Sequence, residues 1–473
     1  MDRISEDNMT IQQFEHSSSV AQNLAPELLR EIFLHCVSGE DRANDTDPYP
    51  QRSLRCVFEA PLLLGRVCSR WRSVSISSPE LWVCFTVGDR DRSLCHLEKD
   101  LEATQYWMSK SGSRPLSILA CYLLTEDQEL LQPVLECLVS QSWRWENIKV
   151  MVSSHFKNIV LPLFRPGDLP RLVKFDYRIG GPVTDGSAEF VLSSAPRLQS
   201  LQYRGRKVHV DFGGRKEHNI KRIVITYDWD GRISLGDLLA CFTRCPLLEE
   251  LQIPICVREW EEGRHELPSA ICAFHLTHLS LTWSPAIDPG HLFDRLFLPV
   301  LISLELAVAV DTPFSHTDWP HLQAMLANSL PPLRILRLRR LPIREVTLIG
   351  CLGLIPTLNS LNVQGVDFSD RFLHSLTIAE AVTHASQNQC PCLERIRLGW
   401  KCDFSERAMI EMIVSRMEKN TKNAGLGFAS GRAPIAIKCP FAFGRIQSYP
   451  DIAACIKDGL VLVDGGYWQT DIV

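Results

Sequence analysis

Apolar residues recur along the second half of the chain in one phrase, P-x-L-x-x-L-x-(apolar). It stands at Pro170-Leu172-Phe175-Tyr177, Pro196-Leu198-Leu201-Tyr203, Pro246-Leu248-Leu251-Ile253, Pro299-Leu301-Leu304-Leu306, Pro331-Leu333-Leu336-Leu338, Pro356-Leu358-Leu361-Val363 and Pro391-Leu393-Ile396-Leu398. Two copies lack the proline, at Ile220-Ile223-Ile225 and Leu276-Leu279-Leu281, and Trp145-Ile148-Val150 is a weaker opening member. The last two apolar positions of each copy alternate with polar ones, which predicts a half-buried strand. Between the phrases the period changes. Leu238-Leu239-Phe242, Leu292-Phe293-Leu296, Leu322-Met325-Leu326 and Met409-Ile410-Ile413-Met417 repeat every three or four residues, which predicts helices with one apolar face each. A proline cannot continue a helical ladder, so the proline of each phrase ends the helix before its strand.

Steps between copies run from 22 to 35 residues, against roughly 20–29 for leucine-rich repeats built around an L-x-x-L-x-L strand. The spacing therefore predicts an irregular leucine-rich-repeat solenoid over residues 145–430. No unit could bury its leucines alone, and stacking would bury them together. The Asn or Cys expected three residues after the last strand leucine is mostly absent. Gly180, Arg206, Ser284, Ala309, Leu341, Val366 and Lys401 stand there, with Cys256 as the match, so the turns should be irregular. Residues 86–144 are expected to be a connecting α/β segment, and 431–473 a C-terminal cap or tail.

The N-terminal part differs. After a polar stretch, expected as a disordered tail over 1–19, Leu24, Leu28, Ile32 and Phe33, then Cys36 and Val37, share one helical face, with Pro26 in the first turn. Residues 39–59 are polar and read as an exposed, dispensable loop. A second helix is expected after Pro61, with Leu64, Val67, Cys68 and Trp71 at i, i+3, i+4, i+7, and Ser78 is placed to cap a short turn through Leu81-Trp82.

Leu24-x-Pro26-Glu27-Leu28-Leu29-x-x-Ile32-Phe33, followed by Val67-Cys68-x-x-Trp71-Arg72 and Pro79-x-Leu81-Trp82, resembles an F-box. The order and spacing are similar to those of F-box proteins of mushroom-type fungi with irregular C-terminal leucine-rich repeats. The likeness covers residues 20–85, with Ala25 where the family usually has proline and a longer gap at 39–59. It implies an α/β protein in which a small helical F-box precedes the solenoid. It implies docking on the Skp-type adaptor of a cullin–RING ubiquitin ligase through Leu24, Pro26, Leu28, Leu29, Ile32, Val67, Cys68, Trp71, Leu81 and Trp82. The repeats would then hold a protein substrate. The other reading of the same residues is a helical cap on an interaction scaffold with no ligase attachment.

Composition narrows the partners. The chain of 473 residues is 45% hydrophobic and 22% charged, with net charge −5, which gives no global basic field for nucleic acid. Its acidic start lacks an apolar stretch, and its most apolar run, Leu296 to Val310, is cut by Pro299, Ser303 and Glu305. A soluble cytoplasmic or nuclear protein without membrane attachment is expected. Seventeen cysteines scatter without a C-x-x-C pair, which reads as reduced core thiols and no metal or other cofactor. There is no P-loop and no G-x-S-x-G elbow; His275-x-x-His278 reads as surface histidines, and the glycines at 425–431 as a turn. No enzyme is expected. Catalysis would come from tethering a substrate near its modifying partner.

The outward strand positions offer the remaining candidates. Arg337 and Arg339 fall in a sharply basic segment, Leu333 to Arg344, and Arg395 and Arg397 follow two repeats on; Glu249, Glu250, Glu259, Glu261 and Glu262 form an opposite block. Arg337, Arg339, Asn362, Arg395 and Arg397 could receive an acidic or phosphorylated segment through arginine forks, or be ordinary solvated charge. Trp229, Trp283 and Trp400, just past strands, are alternative aromatic anchors, with Trp283 the one assigned to substrate.

Overall fold

A strand with alternating apolar residues buries one face and needs neighbours for its backbone, and a chain that returns through a helix can supply them only in parallel. The computed structural model follows that logic. It describes residues 24–38, 53–88, 97–123, 128–164, 169–180, 188–205, 208–212, 217–226, 233–256, 268–309, 318–378, 389–399, 402–424, 435–441 and 443–464. The chain divides into two units, Met1–Leu198 and Gln199–Val473.

In the first unit four strands, β1 (Cys84–Val87), β2 (Leu116–Tyr122), β3 (Trp145–Ser153) and β4 (Lys174–Gly180), pair in parallel and in chain order. Phe85, Ile118, Ile148 and Phe175 stand in one register column and Val87, Ala120, Val150 and Tyr177 in the next, each at most 2% exposed. Ahead of them lie α1 (Pro26–Ser38) and α2 (Ser69–Ile76); α3 (Leu97–Lys110) and α4 (Gln128–Val139) cross between strands.

Several expectations need correction here. The segment after Pro61 is not one helix. A 3-10 turn, Leu64–Arg66, stops before Cys68, whose backbone is extended (φ −159°) and whose Sγ accepts the Trp71 N–H at 3.4 Å, capping α2. Ser78 caps nothing with its side chain; its hydroxyl donates to the Val74 carbonyl at 2.7 Å. The "dispensable" loop is anchored at its end: Leu54 is 2% exposed, its N–H donates to Thr86 O at 3.0 Å, and its carbonyl accepts Trp107 Nε1–H at 3.1 Å. Residues 39–52 lie outside the described residues, as does the tail at 1–19. The connecting segment 86–144 already carries a repeat-like strand, β2, and the end of another, β1, although neither has the leucine phrase.

In the second unit ten described strands of the long sheet pair in parallel, again in chain order: β5 (Ser200–Arg204), β6 (Arg222–Thr226), β7 (Glu250–Ile255), β8 (His278–Trp283), β9 (Ser303–Val308), β10 (Ile335–Arg339), β11 (Ser360–Gln364), β12 (Arg395–Gly399), β13 (Ala436–Cys439) and β14 (Val461–Asp464). Leu201, Ile223, Leu251, Leu279, Leu304, Leu336, Leu361, Ile396 and Ile437 fall in one column, each at most 2% exposed, and Leu462 extends it half-buried. Strand pairing thus runs on into the expected cap, through β13 and β14.

The returning helices are α5 (Leu235–Arg244), α6 (His321–Ser329), α7 (Glu345–Gly353), α8 (Asp370–Leu376), α9 (Glu406–Ala424) and α10 (Pro450–Lys457). Helix α5 starts on a capping box, Ser234 with Asp237. Further along, the missing Asn ladder has a substitute. An acid at the start of one helix accepts the backbone N–H at the start of the next: Asp318 from Arg344 at 2.9 Å, Glu345 from Ser369 at 2.8 Å, and Asp370 from Ser405 at 2.7 Å. Each contact satisfies an orphan helix N–H and places negative charge at the positive helix end, so neighbouring repeats are tied through their caps.

Candidate functional site

Two apolar stripes one residue apart run along α1. Consecutive helix positions are rotated by 100°, so a stripe at Leu29 and Phe33 and a stripe at Leu28 and Ile32 face different ways. Leu29 and Phe33 are fully buried, and Phe33 packs on Trp71 with ring centroids 5.0 Å apart. Leu28 and Ile32 remain 55% and 42% exposed. Val67, past the 3-10 turn, is 57% exposed, and Pro26 is exposed while Leu24 is half-buried.

The ten residues expected to dock a partner therefore separate. Leu28, Ile32, Val67 and Pro26 face outward, with Leu24, Cys68 and Trp71 half-buried. Leu29, Leu81 and Trp82 do not reach the surface. Leu81 is 0% and Trp82 2% exposed; the Trp82 indole donates to Ser75 O at 2.9 Å and packs edge-on to Trp107 with centroids 5.0 Å apart. These three support the exposed stripe from below. Glu80 Oε1 takes Arg30 at 2.6 Å and Arg114 at 2.5 Å, tying α1 to the turn that carries Leu81 and Trp82.

The structure adds three exposed apolar residues that the sequence reading passed over: Val57 (43%), Phe58 (76%) and Leu63 (42%). Arg66 holds this segment, donating to Val57 O at 3.4 Å with its guanidinium 5.5 Å from the Phe58 ring. The available signal was an apolar pair, Val57-Phe58, ending an otherwise polar loop.

The outward strand positions of the second unit form rows of polar side chains, because parallel register aligns them. At the start of the sheet opposite charges neutralise each other: Arg222 meets Glu250 and Lys221 meets Glu249, both at 2.8 Å. Further on, Arg337 (3.5 Å) and Arg339 (2.8 Å) share the Glu305 carboxylate. Asn362 follows Arg337 in register, then Arg397, then Lys438, while Arg395 lies beside Ser360. The Asn362 side-chain oxygen is buried without a hydrogen-bond partner. Trp283 is not an anchor: it is 4% exposed and packs on Trp319 at 5.8 Å. Trp229, Trp400, Glu259, Glu261, Glu262 and the glycines at 425–431 lie outside the described residues. His275 and His278 are both exposed.

In the first unit the corresponding row is not a solvent face. Lys149 and Asp176 are 6% and 2% exposed, 3.6 Å apart, and Arg178 closes on Asp176 at 3.1 Å. Charges taken from water this far need partners, and here they have them. Two buried arginines do structural work, among the described residues without a carboxylate. Arg144 donates to Met108 O and Ser111 Oγ at the end of α3, and Arg416 donates to Cys390 O and Gln389 O. Burial lowers the pKa of both, Arg416 to about 10.

Burial also pushes the thiols of Cys245, Cys351, Cys390 and Cys402 up to about 12 and Cys241 well above its ordinary value. Such thiols lack the thiolate character that nucleophilic or metal-binding cysteines need. Among the described residues no three His, Cys, Asp or Glu side chains group to hold a metal ion, and no helix is long and apolar enough to cross a membrane. Compared with protein-family models and with curated proteins, the chain matches none.

Proposed function

We propose that this chain is the substrate-recognition subunit of a Skp–cullin–F-box type ubiquitin ligase. Its exposed α1 stripe and the Val67 turn would dock the Skp-type adaptor, and its repeats would hold a protein substrate. The observation that carries the reading is the split of α1: Leu29 and Phe33 are fully buried while Leu28, Ile32 and Val67 stay 42–57% exposed above them. A unit that builds its own core and still leaves aliphatic side chains in water has a surface suited to a partner. Full burial of such a side chain contributes roughly 1.5–3 kcal/mol; these are already partly covered and association has its own costs, so each supplies less. Catalysis then needs no acid, base or nucleophile from this chain, since tethering raises the effective concentration of the substrate at its modifying partner.

A second reading has its own support. Trp82, Trp107, Phe85 and Tyr106 form one aromatic cluster joining the N-terminal turn to β1 and α3. That arrangement suits a helical cap on an interaction scaffold with no ligase attachment. Co-purification of the full chain with a Skp-type adaptor separates the two. The ligase reading expects a stable one-to-one complex; the scaffold reading expects none.

A further inference from the structure

At the edge of the second unit where the strands begin, large apolar side chains stand in water: Phe274, Leu330, Leu247 and Val300. Backbone bonds set the edge in register. One residue ahead of each strand, an N–H donates to the matching carbonyl of the strand before, at 2.8–2.9 Å: Thr277 to Glu249, Ile302 to Thr277, Arg334 to Ile302, Asn359 to Arg334 and Glu394 to Asn359. Two residues further back come the matching positions Leu247, His275, Val300, Pro332, Thr357 and Cys392, all exposed and none of them Asp, Glu, Lys or Arg. Phe274 and Leu330 join this row. The Ala273 N–H donates to Phe297 O at 3.1 Å, and Phe274 packs on the Phe297 ring with centroids 6.1 Å apart, three residues before Val300. Ser329 Oγ accepts the Leu298 N–H at 3.0 Å, which sets Leu330 beside the same segment.

Leu330 is out of place on two counts. It ends α6 in the left-handed region, at φ 41° and ψ 52°, where glycine is the usual residue and leucine is disfavoured. Its side chain is 66% exposed, so core packing does not offset that conformation. A leucine held against its backbone preference and left in water points to a contact outside the chain. The row also limits what that contact can be. The N–H groups beside it are taken up by the ladder, so it offers a strand no edge to join, and it has no formal charge for a polyanion. Strands lie about 4.8 Å apart, so the four repeats from Leu247 to Pro332 span about 14 Å. A helix advances about 5.4 Å per turn, so one side chain per turn keeps step with these repeats. Alternate residues of an extended chain, about 6.8 Å apart, do not. Arg334, two residues on from Pro332, is exposed and can take a carboxylate beside the apolar stripe of such a helix.

We propose that this row docks an amphipathic helix of a protein partner, laid across the repeats with Phe274 and Leu330 as its apolar anchors. The inference rests on the reading of the repeats as holding a protein, and it names the surface and the kind of segment held. Val346, also exposed, follows the end of β10 and not its start, and takes no part.

The test is fluorescence anisotropy on the full chain with a labelled helical peptide that carries leucine at i, i+4, i+7 and i+11 among Ala, Glu and Lys. Its counterpart has the same composition with the leucines scattered around the helix. The striped peptide should bind, and the scattered one at least about tenfold more weakly. F274S/L330G should weaken striped binding by at least about tenfold. L330G alone should weaken it without lowering the melting temperature, because glycine suits the left-handed backbone there, and V346S should leave it unchanged. Equal binding of the two peptides, no binding of either, or undiminished binding by F274S/L330G and L330G would overturn the inference. So would self-association of the full chain that L330G abolishes, which makes a second copy the occupant, or displacement of the striped peptide by neutral lipid vesicles. The same preparations are tested for capture of a Skp-type adaptor. Capture without peptide binding overturns this inference alone, and peptide binding without capture overturns the ligase reading alone.

Discussion

Leu28 and Leu336 are both leucines in elements with strong apolar periodicity, and they end in opposite surroundings, 55% exposed and fully buried. Leu336 sits in a strand, where the side-chain period of two leaves one choice: a residue faces the core or the solvent, and a leucine faces the core. Leu28 sits in a helix whose apolar positions 28, 29, 32 and 33 cover an arc wider than one small unit can bury. A wide arc on a short helix must be shared, part with the unit's own core and part with something else. Strand repeats therefore declare their faces in the sequence, while short helices declare only that an apolar face exists.

That comparison can be broken, and the largest expected effect does so in the helical region. Trp82→Ala removes a side chain packed between Ser75 and Trp107 and should cost about 3–5 kcal/mol by chemical denaturation. A cost near zero would mean that Trp82 faces outward with Leu28. Leu336→Ala, in the strands, should cost about 2–5 kcal/mol, whereas its neighbour Arg337→Ala should stay within about 0.5 kcal/mol of wild type. Equal losses would show that the period of two does not sort this strand. Glu345→Ala removes the acceptor for the Ser369 N–H and hydroxyl and should cost about 0.5–2 kcal/mol, as for loss of a helix cap.

A finer effect comes from pH. Burial alone would raise the pKa of Asp370, but hydrogen bonds from the Ser405 side chain and backbone, aided by His374, outweigh it and leave the carboxyl below its ordinary value. A carboxylate depressed in the fold contributes stability above its unfolded pKa, near 3.9, and loses it as pH falls through the folded value. The deficit of Asp370→Asn should therefore be present at neutral pH and shrink on acidification below about pH 4. A deficit that grows there would reverse the assigned sign.

The legible part of the fold follows from the same contrast. The strands from β4 to β12 announced themselves because an apolar anchor and period two coincide in them, with a proline ahead of all but β6 and β8, and their polar positions could be placed by counting. Strands β1, β2, β13 and β14 lack the leucine phrase; Cys84-Phe-Thr-Val and Ala436-Ile-Lys-Cys are strands because neighbours recruit them. The cap relay through Asp318, Glu345 and Asp370 joins residues 24–35 positions apart, and nothing local marks it. Within the docking candidates, helical spacing grouped Leu28 and Ile32 with Phe33 and could not say which would point inward; Phe33 does, and Leu28 and Ile32 do not. Trp283 was misplaced because it was counted as lying past its strand, whereas it is the last residue of β8 and continues the inward alternation of Leu279 and Leu281 onto Trp319. The acidic balance along the outward rows was visible, but its pairing was not, since Glu305 reaches Arg337 and Arg339 only across a strand.

The central claim is that the outward stripe of α1 and Val67 serves a partner and not the unit's own stability. The direct measurement is the Leu28→Asp/Val67→Asp double variant of the full chain, read twice: its melting temperature, and its affinity for a Skp-type adaptor by isothermal titration. Both side chains are more than half in water, so the account predicts an almost unchanged melting temperature together with loss of adaptor binding. A large fall in melting temperature, or adaptor affinity equal to wild type, would contradict it.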